Sequence, residues 1–83
     1  MTFEEAQEAV HNLSKKPSND ALLLLYGLFK QATIGDNTTD KPRGFDFKAL
    51  AKHASWSNEI GKSSDEAKVE YVALVEKLIS ELG

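Results

Sequence analysis

Apolar residues fall into four blocks along the chain, and their spacing predicts a helix in each. In the first block Phe3, Ala6, Val10 and Leu13 recur at three- and four-residue steps, so they share one face of a helix from Phe3 to Leu13. Thr2 and Glu5 have the spacing of a capping box at its start, and Lys15, Lys16 and Pro17 close it. The second block begins after Ser18, a good N-cap, with Asp20 in the first turn where the helix dipole favours an acid. It runs to about Ala32, and Gly35 stops it. Leu22, Leu23, Leu24, Leu25, Leu28 and Phe29 cover nearly its whole circumference, so this helix is either fully buried or lines something apolar.

Between Ile34 and Gly44 the turn formers Gly35, Asp36, Asn37, Pro42 and Gly44 predict a loop. Antiparallel neighbours need only a short turn, whereas about a dozen residues span at most about 40 Å. Such a loop can return along the whole second helix and let the third run parallel to it. Asp46 caps a third helix from Phe47 to Asn58. Ser63 and Glu66 form a second capping box before the last helix, where Tyr71, Val75, Leu78 and Leu82 line one face beside Val72 and Ile79. The expected fold class is all-α, a four-helix bundle in one domain over residues 1–83.

Composition narrows the function. Ten basic residues against thirteen acidic ones give a net charge of −3, which argues against a nucleic-acid binder. An anionic ligand would have to be held by a few locally placed lysines. There is no cysteine, so disulfides, cysteine-ligated zinc and thiol catalysis are excluded. The N-terminus does not have the form of a signal peptide, and the apolar run Ala21 to Phe29 is too short to span a bilayer. These features predict a cytoplasmic protein without stable membrane insertion, and they leave room for transient membrane contact.

The chemistry concentrates in Tyr26-Gly27-Leu28-Phe29-Lys30-Gln31-Ala32-Thr33-Ile34-Gly35-Asp36. Tyr26, Phe29 and Lys30 share a helix face and offer a phenol, a flat ring and an ammonium together, which suits a phosphate beside an adenine ring. The plainer reading of such a trio is a core edge with a snorkelling lysine. The pattern Tyr-Gly-x-x-Lys-Gln-Ala-Thr-x-Gly-Asp, however, resembles the signature of the acyl-CoA-binding protein family. Lys16-Pro17-Ser18, Lys41-Pro42 through Asp46-Phe47-Lys48, Ala51-Lys52, Trp56 with Asn58 and Glu59, and Tyr71 with Val75 to Leu78 extend the likeness over the chain.

That resemblance implies an up-down-down-up bundle that binds and carries long-chain acyl-CoA esters as a monomer, without catalysis and without a cofactor. It implies a ligand site of Tyr26, Phe29 and Lys30 from the second helix, Lys52 from the third and Tyr71 from the fourth. Phe29 stands where the family usually has a second tyrosine, Leu50 and His11 at usual lysine positions, His53 at a usual tryptophan and Gln7 at a usual alanine. His11 and His53 lack cysteine partners or a helical metal spacing, so no metal site is expected. Phe3, Val10, Leu13, Val72, Val75 and Leu78 are expected as core contacts between the first and last helices. Phe45 and Phe47 are expected to anchor the loop, and Lys15 and Lys16 to be solvated, the alternative being that they reach a phosphate.

Two rivals stand beside this reading. An acyl carrier protein would need an Asp-Ser-Leu attachment serine, and the chain has none. A helical protein-interaction module would dock a partner helix on an exposed leucine face. No nucleophile elbow, Walker loop or His-Glu-x-x-His string points to an enzyme.

Overall fold

The computed structural model describes residues 1–83 and contains four helices: α1 Phe3–His11, α2 Asn19–Thr33, α3 Phe47–Ser57 and α4 Ser64–Leu82. Each begins at the cap its sequence dictates. The Thr2 hydroxyl accepts from Glu5 N at 3.0 Å while Thr2 N donates to the Glu5 carboxylate at 2.7 Å. Ser63 and Glu66 repeat this box at α4, Ser18 accepts from Ala21 N at α2, and Asp46 accepts from Ala49 N at α3. These bonds satisfy backbone donors that a helix start leaves free. At the other end α1 is shorter than expected: Asn12 caps it, and Leu13 packs against the core from outside the helix.

The helices lie in the spatial order α3, α2, α4, α1, since α2 packs on both α3 and α4 while α1 packs on α4. Ser64 Oγ donates to the Ala32 carbonyl, and Ser18 and Ala21 share a hollow with Leu74, Leu78 and Leu82, so α2 and α4 are antiparallel. Asn19 lies with Lys48, and Gly27 faces Ser55, so α2 and α3 run the same way. Phe3 meets Tyr71 and Ser14 meets Gly83, so α1 runs with α4. The result is the up-down-down-up order, in a slab of 37 × 28 × 15 Å.

One core joins α1, α2 and α4, with Phe3, Ala6, Leu28, Tyr71, Val75 and Leu78 buried in it. Val10, Leu13 and Val72 pack against its edge. From α3 only Trp56 is buried, and that helix is held to α2 by close backbone approach and polar ties. The Ser55 hydroxyl donates to the Leu23 carbonyl at 2.7 Å, and the Trp56 indole N–H donates to the Gly35 carbonyl at 2.7 Å. Gly35 sits at φ +101°, a conformation glycine adopts without strain, and this turns the chain out of α2.

The loop is fastened by polar groups. Asn37 Nδ2 donates to Ser57 Oγ at 3.1 Å, and His53 Nε2 donates to the Thr39 carbonyl at 3.1 Å. The expected anchoring by Phe45 and Phe47 does not occur: their side chains are 89% and 72% exposed. The reason is topological. The core lies beyond α2, where the start of α3 does not reach it.

Candidate functional site

Tyr26 and Lys30 lie one turn apart on α2, and Lys52 and Trp56 repeat that spacing on α3. Parallel packing of the two helices turns both pairs inward. Lys30 Nζ lies 4.9 Å from the Trp56 ring centroid and 5.9 Å from that of Tyr26. Lys52 Nζ lies 5.4 Å from the same Tyr26 ring. Ring faces attract ammonium groups, so the two aromatics hold the lysines in place.

No carboxylate neutralises these lysines. The two salt bridges of the chain both belong to Lys62, which pairs with Glu59 and Glu70. Two ammoniums without a carboxylate partner, beside one phenol, form a centre suited to an anion such as a phosphate. Beside them a groove of about 440 Å³ opens between α2 and α3. Leu22, Leu23 and Ala51 supply its apolar lining, and Lys16, Lys48 and Lys52 its rim. Lys16 is exposed, as its sequence position suggested, and also lines the groove.

A hollow of about 460 Å³ lies on the other side of the slab, between Phe3 and Glu4 of α1 and Lys68, Val72 and Glu76 of α4. Its one lysine is matched by two glutamates, so it lacks the positive excess of the α2–α3 groove.

Phe29 and Tyr71 occupy different surroundings from the lysine pair. The Phe29 ring stacks on Phe3 at 6.1 Å, and Phe3 meets Tyr71 edge to face at 5.0 Å. Burial pushes the Tyr71 phenol above its ordinary pKa. The structure thus brings together Tyr26, Lys30 and Lys52, and sets Phe29 and Tyr71 around Phe3 between α1, α2 and α4. Among the departures, Gln7 folds back so that Nε2 donates to the Phe3 carbonyl at 3.4 Å, and His53 secures the loop.

The rest of the signature positions the site. Gln31 is 1% exposed, and its Nε2 donates to Asp36 Oδ1 at 2.8 Å and to the Lys62 carbonyl at 2.9 Å. Asp36 also accepts from Gly61 N at 2.9 Å. The Gly61 N–H, with Gln31 assisting, holds the Asp36 carboxyl below its ordinary pKa. Together these bonds tie the end of α2 to the α3–α4 turn and hold the Lys30 end of α2 in register with Trp56. Trp56 is the residue that sequence reasoning left out of the site. Its signal was the Lys52–Trp56 spacing, identical to that of Tyr26–Lys30.

A partly apolar groove bordered by lysines, on an all-α bundle, has the chemistry to take an amphiphilic anion. Comparison with known proteins specifies the class. The family profile described as Acyl CoA binding protein matches residues 1–75. Acyl-CoA-binding protein homolog 1 of Caenorhabditis elegans is 52% identical over 83 residues, covering 100% of this chain and 96% of the relative. The Acyl-CoA-binding protein of Saccharomyces cerevisiae is 51% identical over 78 residues, 94% of this chain and 90% of the relative. The crystal structure of Oryza sativa Acyl-CoA-Binding Protein 2 aligns with a TM-score of 0.89 at 43% identity, over 95% of this chain and 88% of that one. The chain belongs to the acyl-CoA-binding protein family. No helix is long and apolar enough to cross a membrane, and no cluster of three or more His, Cys, Asp or Glu side chains is placed to hold a metal ion.

Proposed function

We propose that this chain binds and carries long-chain fatty acyl-CoA esters, leaving them chemically unchanged, as a cytoplasmic monomer with one domain over residues 1–83. The observation that carries the reading is the unpaired Lys30–Lys52 centre around Tyr26, next to the groove lined by Leu22, Leu23 and Ala51. The ligand has the same two halves. Its 3′-phosphate takes charge-assisted bonds from Lys30 and Lys52 and a hydrogen bond from Tyr26. Its adenine lies against Phe29, and Tyr71 completes that side. The tail enters the groove, where each buried methylene contributes about 0.8 kcal/mol, so sixteen carbons offer roughly 12 kcal/mol before the entropy costs of binding.

No cofactor takes part, and nucleic acid is not a partner of a chain with net charge −3. A docking face for a partner helix finds little support. Leu25 and Leu28 are buried, Leu22 and Leu23 line the groove, and only Leu24, at 41%, is largely exposed.

Calorimetric titration with palmitoyl-CoA, palmitate and free CoA as separate ligands tests the reading. The expected result is tight one-to-one binding of the ester and weak binding of each half. Absence of heat with the ester would overturn it.

A further inference from the structure

Phe45 and Phe47 take no part in the core, and the loop holds its shape without them. Their ring centroids lie 6.4 Å apart, so they form one apolar tip in water at the entry to α3. Two adjacent exposed aromatics at one point mark a contact surface more than scattered exposed residues do.

The charge around the tip indicates what it meets. Residues 12–63, which span α2, the loop and α3, carry eight Lys/Arg and five Asp/Glu. Helices α1 and α4 carry two lysines and eight carboxylates. Since α3 and α1 form opposite edges of the slab, one edge is positive and the other negative. At the tip itself Lys41, Arg43 and Lys48 flank the rings, and none of them is in a salt bridge. The carboxylates there are Asp40 and Asp46, and Asp46 is engaged in capping α3. A second copy meeting the first tip to tip would bring like charge against like charge at this point. An anionic bilayer offers phosphates for the cations and an apolar boundary for the rings.

We propose that the Phe45–Phe47 tip docks this chain on anionic lipid bilayers, with both rings at the headgroup–acyl boundary and Lys41, Arg43 and Lys48 facing lipid phosphates. Lys48, one residue beyond Phe47, lines the groove, so docking brings that part of the groove near the membrane surface. The docking stands apart from the acyl-CoA reading and is tested on ligand-free protein.

Co-sedimentation with vesicles of phosphatidylcholine alone, and of phosphatidylcholine mixed with phosphatidylserine, provides the test. Wild type should bind the mixed vesicles at least about tenfold better. The Phe45→Ser/Phe47→Ser and Lys41→Glu/Arg43→Glu variants should each lose about tenfold of that binding. Circular dichroism and palmitoyl-CoA titration should find the phenylalanine variant folded, with its ligand site intact. Equal binding to both vesicles, no binding, or wild-type binding by either variant would overturn the proposal. So would a dimer in sedimentation velocity that Phe45→Ser/Phe47→Ser abolishes while vesicle binding stays absent, since the tip would then serve a second copy.

Discussion

Gly27 meets the Ser55 carbonyl so closely that a β-carbon on Gly27 would lie 2.5 Å from that oxygen and 2.8 Å from its carbon. The missing side chain lets α3 rest directly on α2, and this contact lies between Tyr26–Lys30 on one helix and Lys52–Trp56 on the other. Gly27→Ala must push the helices apart, at a cost of about 1–3 kcal/mol for overpacking, of which about 1 kcal/mol is offset by better helix propensity. Urea denaturation should find the variant less stable, and calorimetry should find weaker palmitoyl-CoA binding. A stabilised variant with normal affinity would contradict this account.

Lys30→Ala and Lys52→Ala should separate binding from folding. Each removes a charged donor worth about 1.5–3 kcal/mol, so palmitoyl-CoA affinity should fall roughly 10- to 150-fold. Neither lysine has a carboxylate partner, so thermal melts should change little. Added salt should weaken the wild type more than either variant.

Filling the groove should affect the tail alone. Ala51 lines it opposite Leu22 and Leu23, and Ala51→Leu inserts three heavy atoms there. Palmitoyl-CoA affinity should drop about tenfold or more, while free CoA binds as before. An equal loss for both ligands would place the tail elsewhere.

Asp36 should account for part of any acid sensitivity. Its folded pKa lies below the ordinary carboxylate value, so its stabilising contribution is complete above that value and is lost as pH falls through the folded one. Asp36→Asn keeps an acceptor for Gly61 N–H without the charge. The variant should melt below wild type at neutral pH, and the two curves should converge in acid. A gap that persists at low pH would mean the carboxylate charge is not responsible.

Lys62 presents the opposite sign. Hydrogen bonds from its ammonium to Glu59, then Glu70, raise its pKa, so its contribution is complete below the ordinary lysine value and fades as pH climbs through the higher folded one. Glu59 is buried, and Lys62→Met would leave it without its partner, costing about 1–3 kcal/mol. Adding Glu59→Gln should recover part of that loss in thermal melts.

Each helix start was legible in the chain because a cap is settled within four residues: Thr2 with Glu5, Ser18 with Ala21, Asp46 with Ala49, Ser63 with Glu66. The Tyr26–Lys30 pairing was legible for the same reason, since one turn of helix determines it. The loop's length permitted parallel α2 and α3, and family likeness supplied the topology. Tertiary packing decided the rest. It brought Lys52 and Trp56 against Lys30 and Tyr26, turned Gln31 and Asp36 into a brace for the α3–α4 turn, and drew Lys16 to the groove. It also left Phe45 and Phe47 in solvent, although their hydrophobicity suggested burial. Caps and helix faces depend on neighbours along the chain, which a sequence displays. Burial and convergence depend on which faces meet across the bundle, and that is settled only when all four helices pack together.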